Sequence, residues 1–85
     1  MIQMRAVYER DEGLTPDVAA LLAQLTERYS AKLLLECDGK RVLLDSLIGV
    51  LSLDCPRGTP LTVIADGVDE LAAASAVADM LQGRK

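Results

Sequence analysis

The stretch GLTPDVAALL, residues 13–22, holds a hydroxyl, a proline and a carboxylate in consecutive places: Thr15, Pro16 and Asp17. A second hydroxyl, Ser46, follows an aspartate at 45 and precedes the apolar run LIGVL. A helix start is a natural anion site, because its first N–H groups lack partners and the helix dipole is positive there. At residues 15–17 the side chains take that role themselves. Thr15 is suited to accept a hydrogen bond from the first turn, Pro16 fits the first helical position, and Asp17 places negative charge beside the free N–H groups. Such a cap contributes about 1 kcal/mol, and Asp17 repels an incoming phosphate. Ser46 reads in the same way, as the cap of a short helix.

The other reactive side chains do not assemble into a site. The chain contains no histidine. Cys37 and Cys55 lack the second ligand pair of a zinc motif; Cys37 reads as a strand residue, and Cys55 as a loop thiol that the neighbouring Arg57 would activate if it were exposed. Glu9, Arg10, Asp11 and Glu12 form a solvated loop, and Glu36, Asp38, Asp66 and Asp69 are scattered over turns and caps. No catalytic residue, carboxylate pair, metal or cofactor is implied, so the protein is not expected to be an enzyme. Two thiols without a signal-peptide pattern fit a reducing compartment, and no run is long enough to span a bilayer. A soluble, cytoplasmic protein without membrane contact is expected. With 9 basic and 13 acidic residues the net charge is −4, which argues against direct nucleic-acid binding.

The 85 residues, 51% of them apolar, suffice for one domain spanning 1–85 with a modest core. Alternation places Ile2, Met4, Ala6 and Tyr8 on one face of a first strand. From Pro16 to about Arg28, Val18, Leu22, Leu25 and Tyr29 share one side of a helix. Lys32–Cys37 and Lys40–Leu44 are strands joined by Asp38-Gly39, a tight-turn pair. Residues 47–53 could be a strand by composition; the capping pair Asp45-Ser46 and the spacing of Leu47, Val50 and Leu51 favour a short helix. After a loop rich in proline and glycine, Leu61–Ala65 is a strand. Gly67 turns, Asp69 caps, and a last helix runs from Glu70 to about Gln82, burying Leu71, Ala74, Ala78 and Leu81 before Gly83 ends it. The order β-α-β-β-α-β-α predicts a two-layer α+β sandwich with helices covering one face of an antiparallel sheet.

This order and these residues resemble HPr, the histidine-containing phosphocarrier family of the bacterial sugar phosphotransferase system. Gly13-Leu14 looks like the opening of the family's active-site loop. Asp38 to Leu53, DGKRVLLDSLIGVLSL, looks like its hairpin and regulatory serine segment, with Ser46, Gly49, Ser52 and Leu53 in the matching places. Gly58 to Ala73, GTPLTVIADGVDELAA, looks like its last strand and helix start. The resemblance implies an open-faced β-sandwich, a four-stranded antiparallel sheet covered on one face by three helices.

The departures bear on function. The family's phosphate-carrying histidine falls at Thr15, its neighbouring arginine at Asp17, and its usual proline at Val18. A threonine ester is too stable to relay phosphate as a phosphoramidate does, so carrier activity is not expected. Some members lack the histidine, keep the serine matching Ser46, and act as regulators: a dedicated kinase phosphorylates the serine, and the product binds a sugar-responsive transcription repressor. Here the resemblance implies an adaptor that binds proteins, an HPr kinase and a transcription repressor among them, through Thr15, Leu47, Ile48 and Leu51, with a phosphorylation site at Ser46. The rival readings are a phosphocarrier component and a degenerate HPr-like domain with an unrelated partner. Asp45, where a basic residue is common, and Asp17, expected close by, oppose a phosphate at Ser46. Ile48 is the residue expected to face outward, whereas Leu47 or Leu51 could instead belong to the core.

Overall fold

The computed structural model describes residues 1–10, 15–53 and 56–83. The elements in chain order are β1 (Ile2–Val7), α1 (Pro16–Thr26), β2 (Lys32–Cys37), β3 (Lys40–Leu43), α2 (Leu47–Leu51), β4 (Pro60–Asp66) and α3 (Glu70–Leu81). The expected order and fold class are both present. The strands form one antiparallel sheet in the order β1-β4-β2-β3. Asp38 and Gly39 have φ of +53° and +81°, the left-handed pair that a two-residue hairpin turn requires.

Alternation in the strands builds the core. Ala6 and Tyr8 from the first strand and its continuation, Leu33, Leu35 and Cys37 from β2, and Leu61, Val63 and Ala65 from β4 are all buried. Val18, Ala19, Leu22 and Leu25 of α1 and Val50 of α2 close over them, with Ala73, Ala74, Val77, Ala78 and Leu81 of α3. The small alanines let α3 lie close against β1 and β4, the strands it contacts most. On the open face the central strand still buries Ile64, which is in register with Gln3 on one side and Leu34 on the other.

The last helix departs from expectation in two ways. Leu71 is 65% exposed. The buried stripe runs through Ala74, Val77 and Leu81, and at the helical spacing its next member toward the N-terminus is Glu70. Asp69 precedes the helix but makes no side-chain cap bond. Its φ of −107° and ψ of 28° lie outside the extended region typical of capping residues. Its carboxylate instead accepts the N–H groups of Ser30 at 2.9 Å and Ala31 at 2.8 Å, tying the β4–α3 turn to the α1–β2 turn. The same turns touch at Gly67, where a Cβ would come within 2.7 Å of the Ala31 Cα. Glu70 accepts the Gly67 N–H at 3.3 Å and the Met1 ammonium at 3.1 Å.

Two outcomes follow for stability. Asp69→Ala removes a charged acceptor from two backbone donors and lowers unfolding free energy by about 2 kcal/mol, measurable by urea denaturation. The Glu70 hydrogen bond, with smaller contributions from the Glu70 and Asp66 charges, raises the Met1 ammonium pKa above its ordinary 8.0. A raised pKa stabilises fully below the unfolded value and is lost as pH rises through the folded one. Stability therefore declines on going from pH 7 into the alkaline range, and Glu70→Gln flattens that decline.

Candidate functional site

Thr15 and Ser46 have the same local geometry. Thr15 is extended, with φ −83° and ψ 165°, and its Oγ1 accepts the Val18 N–H at 3.3 Å. Its carbonyl accepts the Ala19 N–H at 2.9 Å. Ser46, with φ −98° and ψ 105°, accepts the Gly49 N–H on Oγ at 3.2 Å and the Val50 N–H on its carbonyl at 3.0 Å. Both hydroxyls are thus N-caps, as their sequence context predicts, with Pro16 opening α1 and Asp17 in its first turn. Ser46 is also held from behind, its N–H donating to the Leu43 carbonyl at 3.0 Å.

Helices α1 and α2 pack against each other, yet Thr15 and Asp45, the residue before Ser46, border different depressions. Thr15, Asp17, Val18, Leu21 and Arg10 line one of about 390 Å³ at the start of α1. The Arg10 guanidinium donates to the Met80 carbonyl at 3.0 Å, bridging toward the end of α3. Asp45, the residue before Ser46, lines another with the C-terminal half of α1. Among the described residues no hydrogen bond or ion pair links Asp17 to Ser46.

The short helix α2 inserts one side chain and presents the others. Val50 is fully buried, whereas Ile48 is 83% exposed, Leu47 45% and Leu51 37%. Ile48 faces outward as expected. Of the expected alternatives for Leu47 and Leu51, the core place goes to Val50, and both leucines remain at the surface. Gly49 permits this seating: a Cβ there would stand 3.2 Å from the Ser46 Oγ and 3.3 Å from the Val42 Cβ. Sequence reasoning missed Leu21, exposed on α1. Its signal was present, since it is a leucine that falls off the Val18, Leu22, Leu25 stripe.

Cys37 is a buried strand residue, as expected. The expected loop at 9–12, the Gly13-Leu14 pair and the Cys55 thiol fall wholly or partly outside the described residues. Among the described residues no group of His, Cys, Asp and Glu could hold a metal ion, and no helix is long and apolar enough to cross a membrane.

Comparison with known proteins places these features. Residues 3–83 match the family model described as the PTS HPr component phosphorylation site. The chain is 37% identical over 82 residues to the HPr-like protein Crh of Bacillus subtilis, covering 96% of both. Among solved structures it is similar to the phosphocarrier protein HPr of Bacillus anthracis, with 33% identity, a TM-score of 0.89, and coverage of 95% of this chain and 96% of the other. It is also similar to a crystal structure of Bacillus subtilis Crh, a catabolite repression protein found as an intertwined dimer with a swapped domain. There the identity is 36% and the TM-score 0.79, covering 98% of this chain and 95% of the other.

The geometry separates cap, core and surface positions. Thr15→Ala and Ser46→Ala each lower stability by about 1 kcal/mol through loss of the cap. Val50→Ala costs about 2 kcal/mol by leaving a cavity, while Ile48→Ala stays within about 0.5 kcal/mol of the parent. Urea titrations of the four variants check this order.

Proposed function

This chain belongs to the HPr family, and from that premise we propose that it is a regulatory adaptor that binds protein partners and is switched by phosphorylation at Ser46. Proteins of this kind are phosphocarriers or regulators and not enzymes. The observation that carries the regulatory reading is the residue at the carrier position. By the resemblance Thr15 stands there, and the chain has no histidine. A carrier needs phosphorus on imidazole nitrogen, from which the group leaves readily; an ester on Thr15 would hold it.

The resemblance to histidine-lacking members supports Ser46 as the modified residue. A kinase would transfer the γ-phosphoryl group of ATP to Oγ, releasing ADP and the hydroxyl proton. The Oγ lies at the edge of a surface on which Leu47, Ile48 and Leu51 are exposed, so the added dianion would stand beside an apolar contact face. By the family resemblance that face, together with Thr15, would receive the partner: first an HPr kinase, then a transcription repressor that binds the phosphorylated form. Asp45 is exposed and adjacent, and its repulsion, screened by water and salt, amounts to about 1 kcal/mol or less.

Incubation with an HPr kinase and ATP is expected to add one phosphoryl group by intact mass, and Ser46→Ala to abolish it. Incubation with enzyme I and phosphoenolpyruvate is expected to leave the protein unlabelled. An unmodified wild type in the presence of demonstrably active kinase would remove the switch; acid-labile labelling from phosphoenolpyruvate would restore the carrier reading.

A further inference from the structure

We propose that the depression between the C-terminal half of α1, the start of β2 and the β3–α2 turn anchors a basic side chain of a partner protein docked on the exposed face of α2. This rests on the reading of α2 as a docking face and adds the chemistry of what docks there. The depression has a volume of about 340 Å³, and its lining includes Thr26, Glu27, Tyr29, Lys32, Leu43 and Asp45. It is continuous along the chain with the proposed face, because Asp45 is followed directly by Ser46 and the exposed Leu47 and Ile48.

Charge complementarity selects the occupant. Two carboxylates, Glu27 and Asp45, face one ammonium, Lys32, in the same lining. The negative end of the α1 dipole adds to the carboxylates, and the last turn of α1 contains no basic residue. Arg28, the nearest arginine in sequence, lines a separate depression with Leu21, Gln24, Leu25 and Met80. Tyr29 supplies an aromatic side chain to the wall, and aromatic faces attract guanidinium and ammonium groups. Leu33 and Leu43 offer apolar surface along which the methylene stem of an arginine or lysine can lie. An acidic partner segment would meet two like charges here, and the net charge of −4 steers cationic surfaces toward the molecule.

The test is a titration of isotope-labelled, unphosphorylated protein with N-acetyl-argininamide, followed by amide chemical shifts, with neutral N-acetyl-citrullinamide as the control. Saturable shifts are expected at Thr26 to Tyr29 and Leu43 to Ser46 with the arginine probe only. Asp45→Asn and Glu27→Gln should each weaken binding by up to about fivefold, the range of a partly exposed ion pair, and Lys32→Gln should tighten it. Absence of saturation at these amides, an equal response to the citrulline probe, or indifference to both carboxylate variants would overturn the proposal. The titration requires neither kinase nor phosphate, so its outcome is independent of whether Ser46 is phosphorylated.

Discussion

One row of side chains crosses the whole sheet: Met4 is in register with Val63, Val63 with Leu35, and Leu35 with Val42. Because strand side chains alternate, aligning this row commits every second residue of all four strands to the same layer. A slip of one residue in any pairing would send that strand's apolar set to the open face. The helices can then cover only one side. The row also locates α2, since Gly49 lies so close over Val42 that a Cβ would have to fit at 3.3 Å. With Val42 fixed and Val50 buried, the first turn of α2 has little freedom, and Ser46 is positioned by the sheet as much as by its own helix.

That dependence explains which features the sequence made legible. Period-two patterns in Ile2–Tyr8 and Lys32–Cys37 and the Asp38-Gly39 pair report local constraints, and the elements follow them. The caps at Thr15 and Ser46 are equally local, because a hydroxyl and the N–H three residues on belong to one turn. What could not be read depends on partners distant in sequence. Asp69 looks like a cap until Ser30 and Ala31, nearly 40 residues away, are seen to claim its carboxylate. The rotation of α3 that exposes Leu71 is set by the sheet beneath it, and an alanine-rich helix has too weak an apolar contrast to announce its own orientation. Ile64 resembles a surface position by alternation, yet the central place of β4 buries it from both sides.

The two hydroxyl caps are alike in geometry and differ in their neighbours. Thr15 is followed by Pro16 and Asp17, with Arg10 drawn toward the Met80 carbonyl. The carboxylate in the first turn satisfies the helix end electrostatically, which stabilises the helix start while removing the reason for an anion to bind. Ser46 has no acid in the turn that follows it; its aspartate comes before. The residues after it are exposed and apolar. The helix start at Thr15 is therefore closed by its own side chains, while the one at Ser46 opens onto exposed apolar surface.

Fold and surface charge draw on different residues in this chain. Substituting Val50 or Gly49 disturbs packing at the centre of the α2 contact, so the sheet restricts both. Asp45 and Glu27 are exposed, and exposed charges contribute little to stability. They can therefore change sign without loss of the fold. What such charges do govern is encounter and discrimination, because complementary surfaces associate faster and like charges across an interface are penalised. A chain that keeps the HPr scaffold while carrying acids at 17 and 45 can hold the same backbone surface and still present it to a partner of different charge. Selectivity of the proposed kind would reside in side chains that the fold leaves unconstrained.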